Sequence, residues 1–134
     1  MKKSTREWVR KAEADHRAAS QLAGGPEPLH DPVCFHCQQS AEKYLKALLE
    51  EAGATIPKTH DLERLLDLVL PYHPSLGGHR RGLRSLNDYA VSTRYPGDKA
   101  TKRQAVSARR TEGRVRGSCR ALLGIRDRRR RRSP

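Results

Sequence analysis

The segment from Val33 to Leu49 most restricts the fold of this chain, because its apolar residues recur at the spacing of a helix. Residues three or four apart share one helix face, and the apolar residues that recur at this spacing are Val33, Cys37, Tyr44, Leu45, Leu48 and Leu49. Asp31-Pro32 is placed to begin the helix and Gly53 to end it. No stretch alternates apolar and polar residues as a half-buried strand does. The pattern predicts an all-α protein.

Four further helices are predicted from the same signals. They cover about residues 4–23, 60–70, 80–92 and 99–123, with glycine- and proline-containing breaks between them. Ser4 with Glu7 has the spacing of a capping box, and Thr59 is placed to cap the third helix. The short connections favour an up-and-down bundle of four or five helices over residues 1–124. Residues 125–134 are expected to form a basic, disordered tail, since repelling arginines have no core to bury.

The net charge of +13 is concentrated in the last third of the chain. Residues 1–97 carry 14 Lys/Arg against 12 Asp/Glu, whereas residues 98–134 carry 14 against 3. A polycation of this kind attracts RNA, DNA or an acidic protein. The alternative is a solubilising tail that binds nucleic acid only non-specifically. The candidate RNA contacts are Arg128, Arg129, Arg130, Arg131 and Arg132.

Several classes of protein and site are not supported by the sequence. No run approaches the roughly 18 apolar residues of a membrane span, and the basic N-terminus lacks the apolar core of a secretory signal. An odd number of cysteines, three, fits a reducing compartment, so a cytoplasmic protein is expected. Cys34 and Cys37 lack the second ligand pair of a zinc site and are expected to pack as small apolar residues. No metal and no cofactor is predicted.

The second helix also carries a dense polar row, which is the main candidate binding site. Ammonium, imidazole and amide donors on one face suit phosphate oxygens, and the donors here, at spacing i, i+3, i+7 and i+10, are His36, Gln39, Lys43 and Lys46. The ligand class predicted from them is a nucleotide or phosphate. Gln38 and Glu42 form a neighbouring, supporting stripe nearer the core. The alternative is a solvated face whose Gln38 and Glu42 make hydrogen bonds between helices.

Arg94 is a second candidate for ligand binding. It lies at a predicted helix end beside Tyr95 and a proline that restricts the local backbone. Arg94 can clamp a phosphate or, together with Tyr95, stack on a base. Alternatively, it pairs with Glu42 or Asp88 and closes the bundle.

His60 and Asp61 stand at the predicted start of the third helix. An aspartate in the first turn complements the helix dipole. A capping or supporting role is therefore favoured over acid–base chemistry by His60, for which the sequence offers no second catalytic partner.

The order of residues around these sites resembles a known family. The matching motifs are Phe35-His36-Cys37-Gln38-Gln39-Ser40-Ala41-Glu42-Lys43, Thr59-His60-Asp61-Leu62 and Arg94-Tyr95-Pro96. Over about residues 4–124 the chain resembles the HEPN domain family. The resemblance implies a helical bundle that often forms a homodimer, and many members are paired with a minimal nucleotidyltransferase in a toxin–antitoxin module. Another branch consists of metal-independent ribonucleases with an Arg-x4–6-His motif.

The ribonuclease motif is not found where the family carries it. Arg10 and His16 alone have the required spacing, and no histidine follows His79, whereas family members place the motif late in the bundle. Within one helix, six residues at about 100° each place Arg10 and His16 roughly 240° apart. Both are expected to be solvated surface residues, so no catalytic residue is assigned.

The function expected from the sequence is therefore binding of a nucleotide and a protein partner, within a toxin–antitoxin module that includes a minimal nucleotidyltransferase. Two alternatives remain open. One is an RNA-directed toxin, with a divergent ribonuclease site. The other is a non-specific nucleic-acid binder that acts through its Arg-rich C-terminus.

Overall fold

The fold is an all-helical bundle, as predicted. The structure is a computed structural model that describes residues 1–27, 29–92 and 95–126, without the side chains of residues 90–92. Arg94 and the arginines at 128–132 lie outside the described residues. The five α-helices are α1 (Lys3–Ala23), α2 (His30–Glu51), α3 (Leu62–Val69), α4 (Arg80–Ser92) and α5 (Lys102–Leu122), and a 3₁₀ turn over Pro74–His79 precedes α4. The described residues contain no strand.

Helix α2 is the central element of the bundle, because α1, α3, α4 and α5 all pack against it. Its predicted apolar face is buried, with Tyr44 and Leu49 at 0% exposure. The predicted apolar face of α3 is buried as well, and consists of Leu62, Leu65, Leu66 and Val69. Burying one such side chain contributes about 1.5–3 kcal/mol. The apolar periodicity of these two helices therefore accounts for most of the core.

The predicted capping role of Asp61 is confirmed, whereas the caps predicted at other positions differ in the structure. Asp61, not Thr59, caps α3, since its Oδ1 accepts from the backbone N–H of Glu63 at 3.0 Å and of Arg64 at 3.4 Å. The Thr59 hydroxyl instead accepts from the N–H of Asp61 at 3.2 Å. Helix α1 has no side-chain cap, so the predicted Ser4 capping box is wrong.

Three side chains near the interface of α2 and α5 also have roles that the sequence did not indicate. Asp31 does not cap α2, which begins at His30; its Oδ1 accepts from the Ala100 N–H at 2.5 Å and ties the two segments together. Thr101 and Gln104 form the capping box of α5, with side-chain to backbone distances of 3.1 and 2.8 Å. The start of α5 is thereby fixed against α2.

The inward face of α5 agrees largely with prediction. Ala105, Ala108, Val115 and Cys119 are buried. Leu122 was expected to be buried but is 38% exposed, because the helix ends there. Leu123 and Ile125 pack partly against the core in its place. In the part of the chain that the structure describes, no helix is long and apolar enough to cross a membrane.

Candidate binding site on the second helix

Where α2 faces α1, a buried aspartate lies beneath two partly exposed side chains of α2, a histidine and a lysine. Asp15 of α1 is 8% exposed. Its Oδ1 lies 2.8 Å from His36 Nδ1, and its Oδ2 accepts from Lys43 Nζ at 2.5 Å. Because an ionised carboxylate only accepts, His36 donates through Nδ1 and leaves Nε2 for another partner. The His36 and Lys43 side chains remain 29% and 22% exposed.

The other side of the same surface is organised around Glu42. The Glu42 side chain is 4% exposed, and its carboxylate contacts His60 Nδ1 at 2.8 Å and Lys46 Nζ at 3.0 Å. Gln38 Nε2 donates to Glu42 Oε1 at 3.4 Å and to the His60 carbonyl at 3.0 Å. The His60 side chain is 78% exposed. Glu42 therefore holds one imidazole at the surface from inside the bundle.

Lys46 lies inside the bundle rather than in solvent. Its side chain is 8% exposed, and Nζ lies 5.7 Å from the centre of the Trp8 ring in addition to its contact with Glu42. Gln39 is half-buried and donates to Gln38 Oε1 at 2.8 Å. The four predicted donors do share one side of α2, but both lysines point to internal carboxylates. We call the outward part, consisting of His36, Gln39, Lys43 and His60, the α2 polar surface.

The remaining predicted contacts are exposed side chains or lie outside the described residues. Tyr95 is 68% exposed, and Asp88 is exposed. The predicted pairing of Arg94 with Glu42 or Asp88 concerns a residue that is not described. Asn87, which the sequence did not indicate, accepts from the Leu62 N–H at 3.0 Å and donates to Asp61 at 2.9 Å. This contact fixes the start of α3, and with it the position of His60.

Two more carboxylates that the sequence analysis missed link α1 and α2 to α5. Glu112 is 3% exposed; its Oε1 lies 2.8 Å from His16 Nδ1, and its Oε2 accepts from the Ser40 hydroxyl at 2.9 Å. The expectation that His16 is solvated was therefore wrong, while Arg10 is exposed. Among the described residues, no buried side-chain nitrogen or oxygen lacks a hydrogen-bond partner. The polar interior of the bundle is thus internally satisfied.

Glu13 forms the second such link. Arg116 donates to its two carboxylate oxygens at 2.7 and 2.8 Å, and the Tyr44 hydroxyl also donates to it. Burial by itself raises the pKa of Glu13, but the hydrogen bonds from Arg116 and Tyr44 and the charges of Arg116 and Arg120 outweigh burial and lower the pKa to about 2. The unfolded carboxyl group has a pKa of 4.5. The ionised form is thus stabilised by folding.

We expect this link to make the bundle sensitive to acid. The pKa is lower in the folded state, so the contribution of Glu13 to stability is complete above pH 4.5 and is lost as the pH falls to about 2. After discounting for partial exposure, the loss is about 1–2 kcal/mol. Urea unfolding of the wild type and of Glu13→Gln from pH 6 to pH 2 measures it: the difference between the two proteins should shrink with acidification. A difference that stays constant would contradict the assignment.

The cysteines are packed in the core, as predicted. Cys34 and Cys37 are 0% exposed. Burial, assisted by the charge of Asp31, raises the pKa of the Cys34 thiol to about 11, and burial raises the pKa of Cys119 to about 12. These thiols are therefore protonated and unreactive at neutral pH. Among the described residues, no group of three or more His, Cys, Asp or Glu is arranged to hold a metal ion.

Comparison with known proteins agrees with the helical architecture and the sequence motifs. The family model of the HEPN domain matches residues 5–122. The crystal structure of TT1696 from Thermus thermophilus is similar with a TM-score of 0.74 and 23% identity, over 87% of this chain and 96% of that one. ST0689, an archaeal HEPN homologue, is similar with a TM-score of 0.70 and 24% identity, over 92% and 99%. No curated protein matches the sequence. On the match to the family model, the chain belongs to the HEPN domain family.

Proposed function

We propose that this HEPN protein acts by binding, as one component of a toxin–antitoxin module whose other component is a minimal nucleotidyltransferase. The α2 polar surface is the proposed contact for the partner and for a nucleotide that the partner delivers. The observation that carries the proposal is the pair of buried carboxylates, Asp15 and Glu42, which hold the outward-facing groups of this surface in fixed positions.

Rigid support of this kind favours recognition. Side chains that are held by inner hydrogen bonds lose less conformational freedom on binding. His36 and His60 each use Nδ1 for a carboxylate at 2.8 Å, so that Nε2 remains for a ligand. A bundle that presents such groups needs no catalytic residue of its own to serve as a binding component.

The charge of the surface favours a protein partner over a free polyphosphate. Asp15 and Glu42 balance the charges of Lys43 and Lys46 at 2.5 and 3.0 Å. Phe35, next to His36 with ring centres 5.3 Å apart, is 50% exposed. An exposed aromatic ring beside polar groups with no large net charge is typical of protein interfaces. A second copy of the chain, as in the dimers that HEPN proteins often form, has access to the same surface.

Co-purification from the native operon tests the proposal. We expect the tagged full chain to retain the nucleotidyltransferase encoded nearest to it in stoichiometric amount, and intact mass to reveal any covalently added nucleotide. Replacing Phe35 and Gln39 with alanine should reduce retention of the partner by about tenfold or more, since exposed anchors of this kind dominate interfaces. The matched control is Leu68→Ala and Tyr72→Ala, two exposed side chains on and just after α3. A chain that retains neither partner nor nucleotide would contradict the proposal.

One observation favours a second candidate function, which is metal-independent cleavage of RNA. An imidazole that is oriented by a buried carboxylate and exposed to solvent has the arrangement of a general acid–base group, and His60 on Glu42 has this arrangement. The test is incubation of purified protein with RNA in the presence of a chelator. Cleavage that is lost in His60→Ala would support this function, and absence of cleavage by the wild type would exclude it.

A further inference from the structure

The outward face of α5 is strongly basic. Its exposed charged residues are Lys102, Arg103, Arg109, Arg110 and Arg114. None of the five takes part in an ion pair with another described residue, whereas Arg116 and Arg120 of the same helix contact Glu13. The one acidic residue of the helix, Glu112, is buried. This face therefore presents cations that are not neutralised within the described part of the molecule.

Uncharged residues, one valine and two glycines, run along the middle of this face. At about 100° per residue, Val106, Gly113 and Gly117 fall within about 40° of each other. Lys102 and Arg109 lie on one side of this line, and Arg103, Arg110 and Arg114 on the other. A Cβ atom at Gly113 or Gly117 would meet nothing within 4 Å, so the backbone there is open to close approach. From Lys102 to Arg114 the face is about 18 Å long.

The start of α4 packs beside α5 near Arg114. The two helices touch at Gly82, where a Cβ atom would lie 2.7 Å from Thr111 Cγ2. Burial, and then the positive charge of Arg114, lower the pKa of His79 beside this crossing; His79 Nε2 contacts the Ser118 hydroxyl at 2.8 Å. Arg81 is exposed next to it. The positive charge of Arg114 near this crossing therefore acts on a neighbouring side chain, His79.

We propose that the outward face of α5 docks on double-stranded DNA by entering its major groove. The major groove of B-form DNA is about 12 Å wide and admits an α-helix, and phosphates line both of its walls. Cations on both sides of a line of uncharged residues match this arrangement. The contacts are to phosphates, so binding is independent of sequence. The proposal uses no residue of the α2 polar surface, so it can be tested independently of the function proposed above.

Other nucleic acids fit this face less well. The major groove of A-form RNA is deep and too narrow for side chains to read. Single strands are held by aromatic side chains on which the bases stack, and α5 contains no aromatic residue. An acidic protein would be attracted by the same charges, but it has no need of cations on both sides of an open backbone.

Fluorescence anisotropy with the full chain tests this inference, using duplex DNA, duplex RNA and single-stranded DNA of one sequence at about 50–200 mM salt. We expect the triple variant Arg103→Ala/Arg109→Ala/Arg110→Ala to weaken binding to duplex DNA by about tenfold or more. The slope of the logarithm of the binding constant against the logarithm of the salt concentration should become shallower by about 2.7, which is about 0.9 for each of the three lost phosphate contacts. The control with equal loss of charge is Arg6→Ala/Arg10→Ala/Arg17→Ala, three exposed arginines on α1. This control should leave binding within about threefold, because these arginines lie outside the docking face.

A second variant keeps the charge and changes only the shape of the face. Gly113→Leu/Gly117→Leu adds bulk along the middle line, where a Cβ atom would meet nothing within 4 Å, and leucine is a better helix former than glycine. The variant should fold, as judged by circular dichroism, and lose its preference for duplex DNA over duplex RNA. Any of four results would overturn the inference. The first two are equal weakening of DNA binding by the α1 control, and tighter binding of the wild type to duplex RNA or single strands than to duplex DNA. The other two are a preference for polyglutamate over DNA, and unchanged DNA binding by the leucine variant.

Discussion

Replacing Glu42 with alanine is expected to lower the free energy of unfolding by about 3–5 kcal/mol, the cost of breaking a buried ion pair by removing one partner. The Glu42 and Lys46 side chains are 4% and 8% exposed, and Nζ lies 3.0 Å from the carboxylate. Without Glu42, the Lys46 ammonium group stays inside the bundle with the face of Trp8 at 5.7 Å but without its anionic partner. Urea unfolding at neutral pH measures the difference.

The control for this prediction removes both charges together. Glu42→Leu/Lys46→Met replaces the pair with apolar side chains of similar size, which is often neutral or stabilising. We expect the double variant to regain most of the stability that Glu42→Ala loses. His60→Ala should cost less than about 1 kcal/mol, because His60 is 78% exposed and exposed pairs contribute little. A cost below about 1 kcal/mol for Glu42→Ala would show that Lys46 reaches solvent.

The parts of the fold that could be predicted from the sequence are those set by local patterns. Leu62, Leu65 and Leu66 lie on one face of α3 by their spacing alone, and the structure buries all three. The left-handed backbone at Gly53, with φ at +73°, ends α2 near the predicted position because glycine adopts it without strain. The identity of the caps was less predictable, since Thr59 and Asp61 are both suitable residue types two positions apart.

The buried charges were harder to predict because their partners lie far away in the sequence. Asp15 and Lys43 are 28 residues apart, and His16 and Glu112 are 96 apart. One signal was nevertheless present. Glu112 occupies a position in the stripe of Ala105, Ala108, Val115 and Cys119 at spacings of three and four, so a charge there had to face the core. A charged residue within an apolar stripe predicts a buried, paired group even when the partner is unknown.

The same reasoning explains the outcome for the α2 polar surface. The spacing of His36, Gln39, Lys43 and Lys46 correctly placed them on one side of α2. It contained no information on Asp15, which approaches from α1 and binds two of the four. Helical periodicity gives the direction of a side chain, whereas its charge balance depends on the neighbouring helix. The site therefore carries less free positive charge than its sequence suggests.

Replacing Glu112 with alanine is expected to destabilise the bundle by about 2–4 kcal/mol. The change removes the acceptor of the Ser40 hydroxyl, which is 0% exposed, and the partner of His16. An unpaired buried polar group costs about 1–3 kcal/mol, and the cavity left by the shortened side chain adds to this. Thermal unfolding and urea unfolding of the two proteins both report the loss.

Two further variants separate the lost hydrogen bonds from the cavity. Glu112→Gln keeps the length of the side chain and an acceptor for Ser40, so we expect it to lose less than half as much stability as Glu112→Ala. Glu7→Ala, at an exposed position of α1, should change stability by no more than about 0.5 kcal/mol. If Glu112→Ala also fell in that range, Ser40 and His16 would have to find new partners. The link between α1, α2 and α5 would then depend on the apolar contacts and on Glu13, whose partners are Tyr44, Arg116 and Arg120.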